Sequence, residues 1–204
     1  MKNTNFKILA LIFLAFALLV FAVGCSNNND NTEGDLDGED EFKMVFVTST
    51  TYSGNLGGMK GADAICQMHA SGANLPGIFM AWIATDASDE PAVRFNHSQV
   101  PYTLVNGEQV ASNWDDLIDG ELDQIIYLDE HRGDRTTDVV WTNVTSLGEV
   151  GSDIDWPENC NLWTRDTVDH NGGGVGNIMD TGHTWTRDTT GDCDWNLRLY
   201  CFEQ

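Results

Sequence analysis

Trp163-Thr164-Arg165-Asp166-Thr167 and Trp185-Thr186-Arg187-Asp188-Thr189 are the same five residues met twice in one chain. A looser relative, Trp141-Thr142-Asn143-Val144-Thr145, precedes them, and the three tryptophans stand 22 residues apart. A repeat array and a single sheet with look-alike strands are different folds, so this pattern has to be read first. A solenoid repeats whole units, core positions included. Here the flanks disagree: Asp138, Cys160 and Gly182 lie three residues before the tryptophans, and Gly148, His170 and Asp192 three residues after the closing threonines. The pattern therefore predicts three strands that each start on a core tryptophan, because aromatic and β-branched residues suit a pleated, half-buried surface. Arg165, Asp166, Arg187 and Asp188 are then expected to form exposed cross-strand charge pairs, each worth little.

Upstream, Met44 to Thr48 reads as a strand and Met59 to Ala70 as a helix. Ala62, Ile65, Cys66 and His69 share one face at a 3.6-residue period, and Gly72 follows as a stop signal. Ile78 to Ala84 reads as a buried strand carrying Trp82. Pro101 to Ala111, turning at Asn106-Gly107, predicts a hairpin with a type I′ turn. Ser112 is an N-cap candidate for a short helix through Trp114 to Leu117. Gln124 to Leu128, Val139 to Val144 and Trp195 to Phe202 complete the predicted strands, and Gly148 to Asp192 reads as a long loop outside the two pentapeptides. The expected class is α+β: one early helix, mostly antiparallel strands and a long loop region. Its structural core is expected to include Trp82, Trp141, Trp163 and Trp185.

The first 24 residues read as a leader. Lys2 and Lys7 precede an apolar run from Ile8 to Val23 that ends in Ala22-Val23-Gly24-Cys25. Small residues before a cysteine resemble a bacterial lipobox, which makes Cys25 the expected lipidation site and the mature N-terminus. Residues 25–42 read as the lipidated cysteine and an acidic, self-repelling tether; seven carboxylates and one aliphatic residue between Ser26 and Glu41 leave little to bury. Residues 43–204 are then one domain with length enough for a core. Loss of Lys2 and Lys7 takes the net charge from −22 to −24, which disfavours nucleic acid as a partner. Cys66, Cys160, Cys193 and Cys201 remain. Export predicts two disulfides, with three connectivities open, and a four-thiolate zinc site lacks a Cys-x-x-Cys pair to seed it.

Several stretches carry a resemblance: Val45-Phe46-Val47-Thr48-Ser49, Gly61-Ala62-Asp63-Ala64-Ile65-Cys66, Ala81-Trp82-Ile83, Asn113-Trp114-Asp115-Asp116-Leu117, Val140-Trp141-Thr142 and Arg198-Leu199-Tyr200-Cys201. Together they resemble a bacterial lipoprotein domain of unknown function that is grouped with C-type lectin-like and endostatin-like folds. The resemblance implies nested disulfides, Cys66–Cys201 outside and Cys160–Cys193 stapling the long loop. It brings no activity. Sugar-binding relatives hold calcium with Glu-Pro-Asn or Gln-Pro-Asp and with Trp-Asn-Asp before the third cysteine. This chain has Pro157-Glu158-Asn159 in another order, and Trp195-Asn196 after Cys193.

Asp166, Asp169 and Asn171, with Asp192 and Asp194 if the loop folds back, are the candidate ligands of a non-standard calcium site. Gly172-x-Gly174-x-Gly176 does not follow a strand and open a helix, so it is a weak phosphate loop. The five histidines share no catalytic setting, no Gly-x-Ser-x-Gly elbow exists, and a His183–Asp180 pair has no activity to attach to. The expectation is a lipid-anchored, non-catalytic binding module in the bacterial cell envelope, extracytoplasmic at the outer membrane or cell surface, with a protein or glycan ligand and no cofactor. A calcium-dependent adhesin or lectin is the alternative, and a hydrolase a distant third.

Overall fold

Arg198–Glu203 is the strand on which the rest is built. The computed structural model describes residues 42–151, 159–168 and 172–204. The predicted leader, Cys25 and the acidic tether up to residue 41 lie outside the described residues. From Phe42 to Gln204 the described residues belong to one compact unit. The strands are β1 (Lys43–Val47), β2 (Phe79–Ala81), β3 (Tyr102–Leu104), β4 (Gln109–Ala111), β5 (Val139–Trp141), β6 (Gly173–Asn177), β7 (Thr189–Gly191) and β8 (Arg198–Glu203). The helical pieces are α1 (Gly58–Gly72), the single turns α2 (Pro91–Arg94), α3 (Trp114–Leu117) and α4 (Cys160–Trp163), and a 3-10 turn at His183–Trp185.

The strand order is β4-β3-β1-β8-β5-β6-β7, with β2 joined to β8 off that path. The sheet is mixed but mostly antiparallel: only β1 with β3 and β5 with β8 run parallel. The α+β class is thus as read from the sequence.

β8 is buried along its whole length. Its alternate side chains enter two different cores, as the period of two requires. Tyr200 and Phe202 join Val45, Val47, Trp82, Phe95, Trp114 and Trp185 on one side. Leu199 and Cys201 join Phe46, Phe79, Trp141, Trp163 and the buried face of α1 on the other. That second core holds both disulfides, Cys66–Cys201 and Cys160–Cys193. All four tryptophans expected in the core, Trp82, Trp141, Trp163 and Trp185, are 0–1% exposed. The outer edge of β2 is closed by α1. Asp63 and Gln67, one helical turn apart, accept from Ala81 N (3.0 Å) and Phe79 N (2.9 Å). Arg94 grips Asp63 with two hydrogen bonds of 2.8 and 3.0 Å, which fixes α2.

Several local expectations fail. Only Trp141 of the three spaced tryptophans lies in a strand; Trp163 ends α4 and Trp185 ends the 3-10 turn. The two pentapeptides therefore do not pair with each other as strands. The loop after Gly148 contains two strands, β6 and β7. β6 is glycine-rich because large groups lie on it: a Cβ on Gly173 would sit 2.7 Å from the Trp141 ring, and one on Gly174 would sit 2.6 Å from Asn143 Cα. Close approach, not intrinsic propensity, puts glycine in this strand.

The hairpin is also not closed by a type I′ turn. That turn needs positive φ at both central residues, but only Gly107 (φ 91°) adopts it, not Asn106. Gly107 N donates to Leu104 O and Leu104 N to Glu108 O, both at 2.8 Å, so the loop is longer. The cap of α3 is Asn113 rather than Ser112: Asn113 Oδ1 accepts from Asp116 N (3.0 Å), and Asp116 reaches back to Ser112 N (2.6 Å). Residues 124–128 form no strand; Leu128 makes one isolated bridge with Asp134.

Candidate functional site

The inner disulfide sits under an unusual turn. Cys160, Asn161, Leu162 and Trp163 all have positive φ, from 47° to 60°. For L-residues this left-handed backbone costs about 1–2 kcal/mol each. The surroundings hold it in place. Asn159 Oδ1 accepts from Leu162 N (2.9 Å), while its Nδ2 donates to Thr85 O (2.9 Å). Trp163 Nε1 donates to Ala84 O (3.0 Å). Gly54 N bonds Cys193 O (2.8 Å) and Leu56 N bonds Trp163 O (2.9 Å), so the staple is fastened to the segment after β1.

The turn sends neighbouring side chains in opposite directions. Trp163 is fully buried, whereas Leu162 is 55% exposed. Trp195, two residues past Cys193, is 45% exposed. Its ring lies over Gly191, where an added Cβ would sit 2.7 Å from Cε3. Val168 is also exposed.

Of the candidate calcium ligands, Asp166, Asp192 and Asp194 are exposed. Asp169 and Asn171 lie outside the described residues, as do Pro157 and Glu158. Among the described residues no group of three or more His, Cys, Asp or Glu is placed to hold a metal. Asp180 lies just before the 3-10 turn. The Thr184 hydroxyl and Gly182 N (3.1 Å) bond its carboxylate and hold its pKa below the ordinary range.

A second cluster joins three elements. His69, on the buried face of α1, has its Nδ1 2.6 Å from Glu130 Oε1. Its Nε2 lies 2.7 Å from the Tyr52 hydroxyl and 3.2 Å from Thr50 Oγ1. The Thr50 hydroxyl is in turn 2.9 Å from that of Tyr52. Glu130 also accepts from Ser49 N (2.9 Å) and from the Ser49 hydroxyl. The Glu130 side chain is 1% exposed and that of His69 7%. The loop carrying Glu130 is shaped by Asp129, whose Oδ1 accepts from His131 N (2.8 Å) and Gly133 N (2.7 Å). Arg135 clamps the other oxygen at 2.6 Å. The loop docks on β1 through Val47 N to Leu128 O (2.9 Å).

Burial pushes the Glu130 carboxyl up, but the hydrogen bonds from His69 and Ser49 outweigh it and bring it down to about 2. The carboxylate is thus ionised and can only accept, so the proton on His69 Nδ1 points at Glu130 while Nε2 faces the two hydroxyls. A folded pKa below the unfolded 4.5 gives stability that is complete above pH 4.5 and is lost as pH falls toward 2. Urea midpoints should drop across that window in the native chain and much less in Glu130→Gln. Equal slopes would remove this role for the carboxylate. The sequence placed His69 on a buried face, which demands a partner, but could not supply Glu130, 61 residues away.

The geometry defines an α+β domain whose outer disulfide encloses the inner one. No family model matches the chain, and no curated protein matches it. The two disulfides are compatible with an extracytoplasmic location. Among the described residues no helix is long and apolar enough to cross a membrane.

Proposed function

We propose that this is a lipid-anchored, extracytoplasmic binding module of the C-type lectin-like kind, held to the cell envelope through Cys25 and binding a protein or glycan at its stapled region. The reading needs no turnover and no cofactor. One observation carries it: the left-handed turn beside Cys160–Cys193 turns Leu162 outward while Trp195 stands 45% exposed past the partner cysteine. Large apolar side chains on a rigid, cross-linked loop are what recognition surfaces use, because their rotamers are already restricted when the ligand arrives. An exposed tryptophan offers both a flat apolar face and an N–H donor. The lipobox-like Ala22-Val23-Gly24-Cys25 and the acidic tether support the anchored location.

The test is binding of the oxidised chain to arrayed glycans and envelope proteins, beside Trp195→Ala and Leu162→Ser. A ligand lost in both variants, with unchanged melting curves, supports the reading. Binding unaffected by either variant would move the site elsewhere. Calcium and chelator arms of the same assay separate the adhesin alternative, since a ligand at about a hundred times its Kd adds roughly 2.7 kcal/mol. Cys25→Ala should release the chain from the membrane fraction.

A further inference from the structure

We propose that Thr50, His69 and Glu130 form a hydrolytic site for a neutral acyl ester, with Thr50 as nucleophile. This goes beyond the binding reading and does not rest on it. A hydroxyl nucleophile needs a base within about 2.6–3.2 Å and a third group that orients the base. Both conditions are met: Thr50 Oγ1 lies 3.2 Å from His69 Nε2, and Glu130 Oε1 lies 2.6 Å from His69 Nδ1. The polarity runs from solvent to interior. Thr50 is exposed, His69 nearly buried and Glu130 buried. A carboxylate can only accept, so Nδ1 carries its proton toward Glu130 and Nε2 is the nitrogen that faces the surface hydroxyls, the orientation a general base requires. The Thr50 hydroxyl donates to the Tyr52 hydroxyl (2.9 Å), which lies 2.7 Å from Nε2, so Tyr52 is the shorter proton path from the nucleophile to the base. Its backbone is locked to Leu197 by paired hydrogen bonds of 2.7 and 2.9 Å, and Trp141 Nε1 holds Tyr52 O at 2.8 Å. The base is therefore preorganised against a fixed frame.

The net charge of −22 selects the substrate class, because it repels phosphate and sulfate esters but not an uncharged acyl ester. Thr50 Oγ adds to the ester carbonyl carbon as its proton passes to His69 Nε2. The tetrahedral adduct collapses, the carbon–alkoxide bond breaks, and the leaving alcohol takes the proton from Nε2. Water then adds to the acyl-threonine, gives its proton to Nε2, and releases the acid as Thr50 recovers its hydrogen. Water is the only co-reactant. Glu130 is a positioning residue.

The experiment uses the full oxidised chain with p-nitrophenyl acetate, following nitrophenolate release and locating any acetyl group by mass spectrometry after acid quench. Thr50→Val removes only an exposed hydroxyl, so it leaves the fold intact. It should lower release by about 100-fold, the low end of general-base contributions. Glu130→Gln should lower the release rate per folded molecule, with folded protein counted by near-UV circular dichroism, and change the shape of the pH profile of release, whereas a smaller folded fraction scales the whole profile alike. An acetyl group on Thr50 that is absent from His69→Gln supports the site. Release unchanged in Thr50→Val, or an acetyl group found only on other residues, overturns it.

Discussion

Two identical pentapeptides in one chain adopt different structures, and the difference lies in what surrounds them. In the first copy Trp163 closes a left-handed turn beside a disulfide, bonded through Nε1 to Ala84 O (3.0 Å). In the second, Trp185 ends a 3-10 turn among Trp82 and Tyr200, and its Nε1 has no hydrogen-bond partner among the described residues. The threonines diverge as well. Thr164 is exposed and bonds the neighbouring Asn161, whereas Thr186 is fully buried and links Trp82 Nε1 (2.7 Å) to Val144 O (2.9 Å). Five residues specify that a tryptophan goes inward. They do not specify the backbone that carries it there.

The largest test of this contrast is truncation of each ring. Trp163→Ala and Trp185→Ala should each cost about 3–5 kcal/mol by denaturant titration, as core aromatic losses do. An unaffected midpoint in either would break the claim that both are core. Next, Cys160→Ser with Cys193→Ser should cost about 3–4 kcal/mol, from closure of a 33-residue separation. Hydrogen exchange should quicken around residues 159–166 and stay slow around 183–189; equal loss in both would mean the copies share one support. Thr186→Val should cost about 2–3 kcal/mol by leaving Trp82 Nε1 and Val144 O unpaired, while Thr164→Val stays within about 0.5 kcal/mol. Glycine at the position before each tryptophan sharpens the contrast most. Leu162→Gly should raise stability by about 0.5 kcal/mol, because its left-handed backbone no longer carries a Cβ. Thr184→Gly should lower it by about 1 kcal/mol through loss of the Asp180 contact and added backbone freedom. Thermal melts showing the same sign for both would contradict the two backbones.

The sequence was legible where one period or one signal dominates. The apolar face of α1 and the burial of Trp82 and Trp141 came from pattern alone. The class followed from the order of elements, and the pairing Cys66–Cys201 and Cys160–Cys193 from a resemblance rather than from spacing. What failed was local shape set by distant contacts. Gly173 and Gly174 read as loop because nothing in their neighbourhood announces the Trp141 ring and the Asn143 backbone that lie on them. The left-handed turn at 160–163 was missed, since Asn161 favours such a backbone but Cys160, Leu162 and Trp163 do not announce it. In the candidate sites, Asp166, Asp192 and Asp194 were chosen for donor chemistry and proved exposed. Glu130 and Thr50 were missed because their meaning depends on a histidine in a separate element.

The place of β8 between β1 and β5 has a consequence in time. Val45 pairs with Phe202 across 157 positions, so the centre of the sheet is made from strands that leave the ribosome far apart in time. Such non-local pairing makes folding slow, because loop closure precedes the contacts that reward it. Until residue 198 has arrived, Val45, Phe46 and Val47 lack the central partner that covers them, and Cys66 waits as a thiol for Cys201. A domain built this way stays open through most of its synthesis and shuts late.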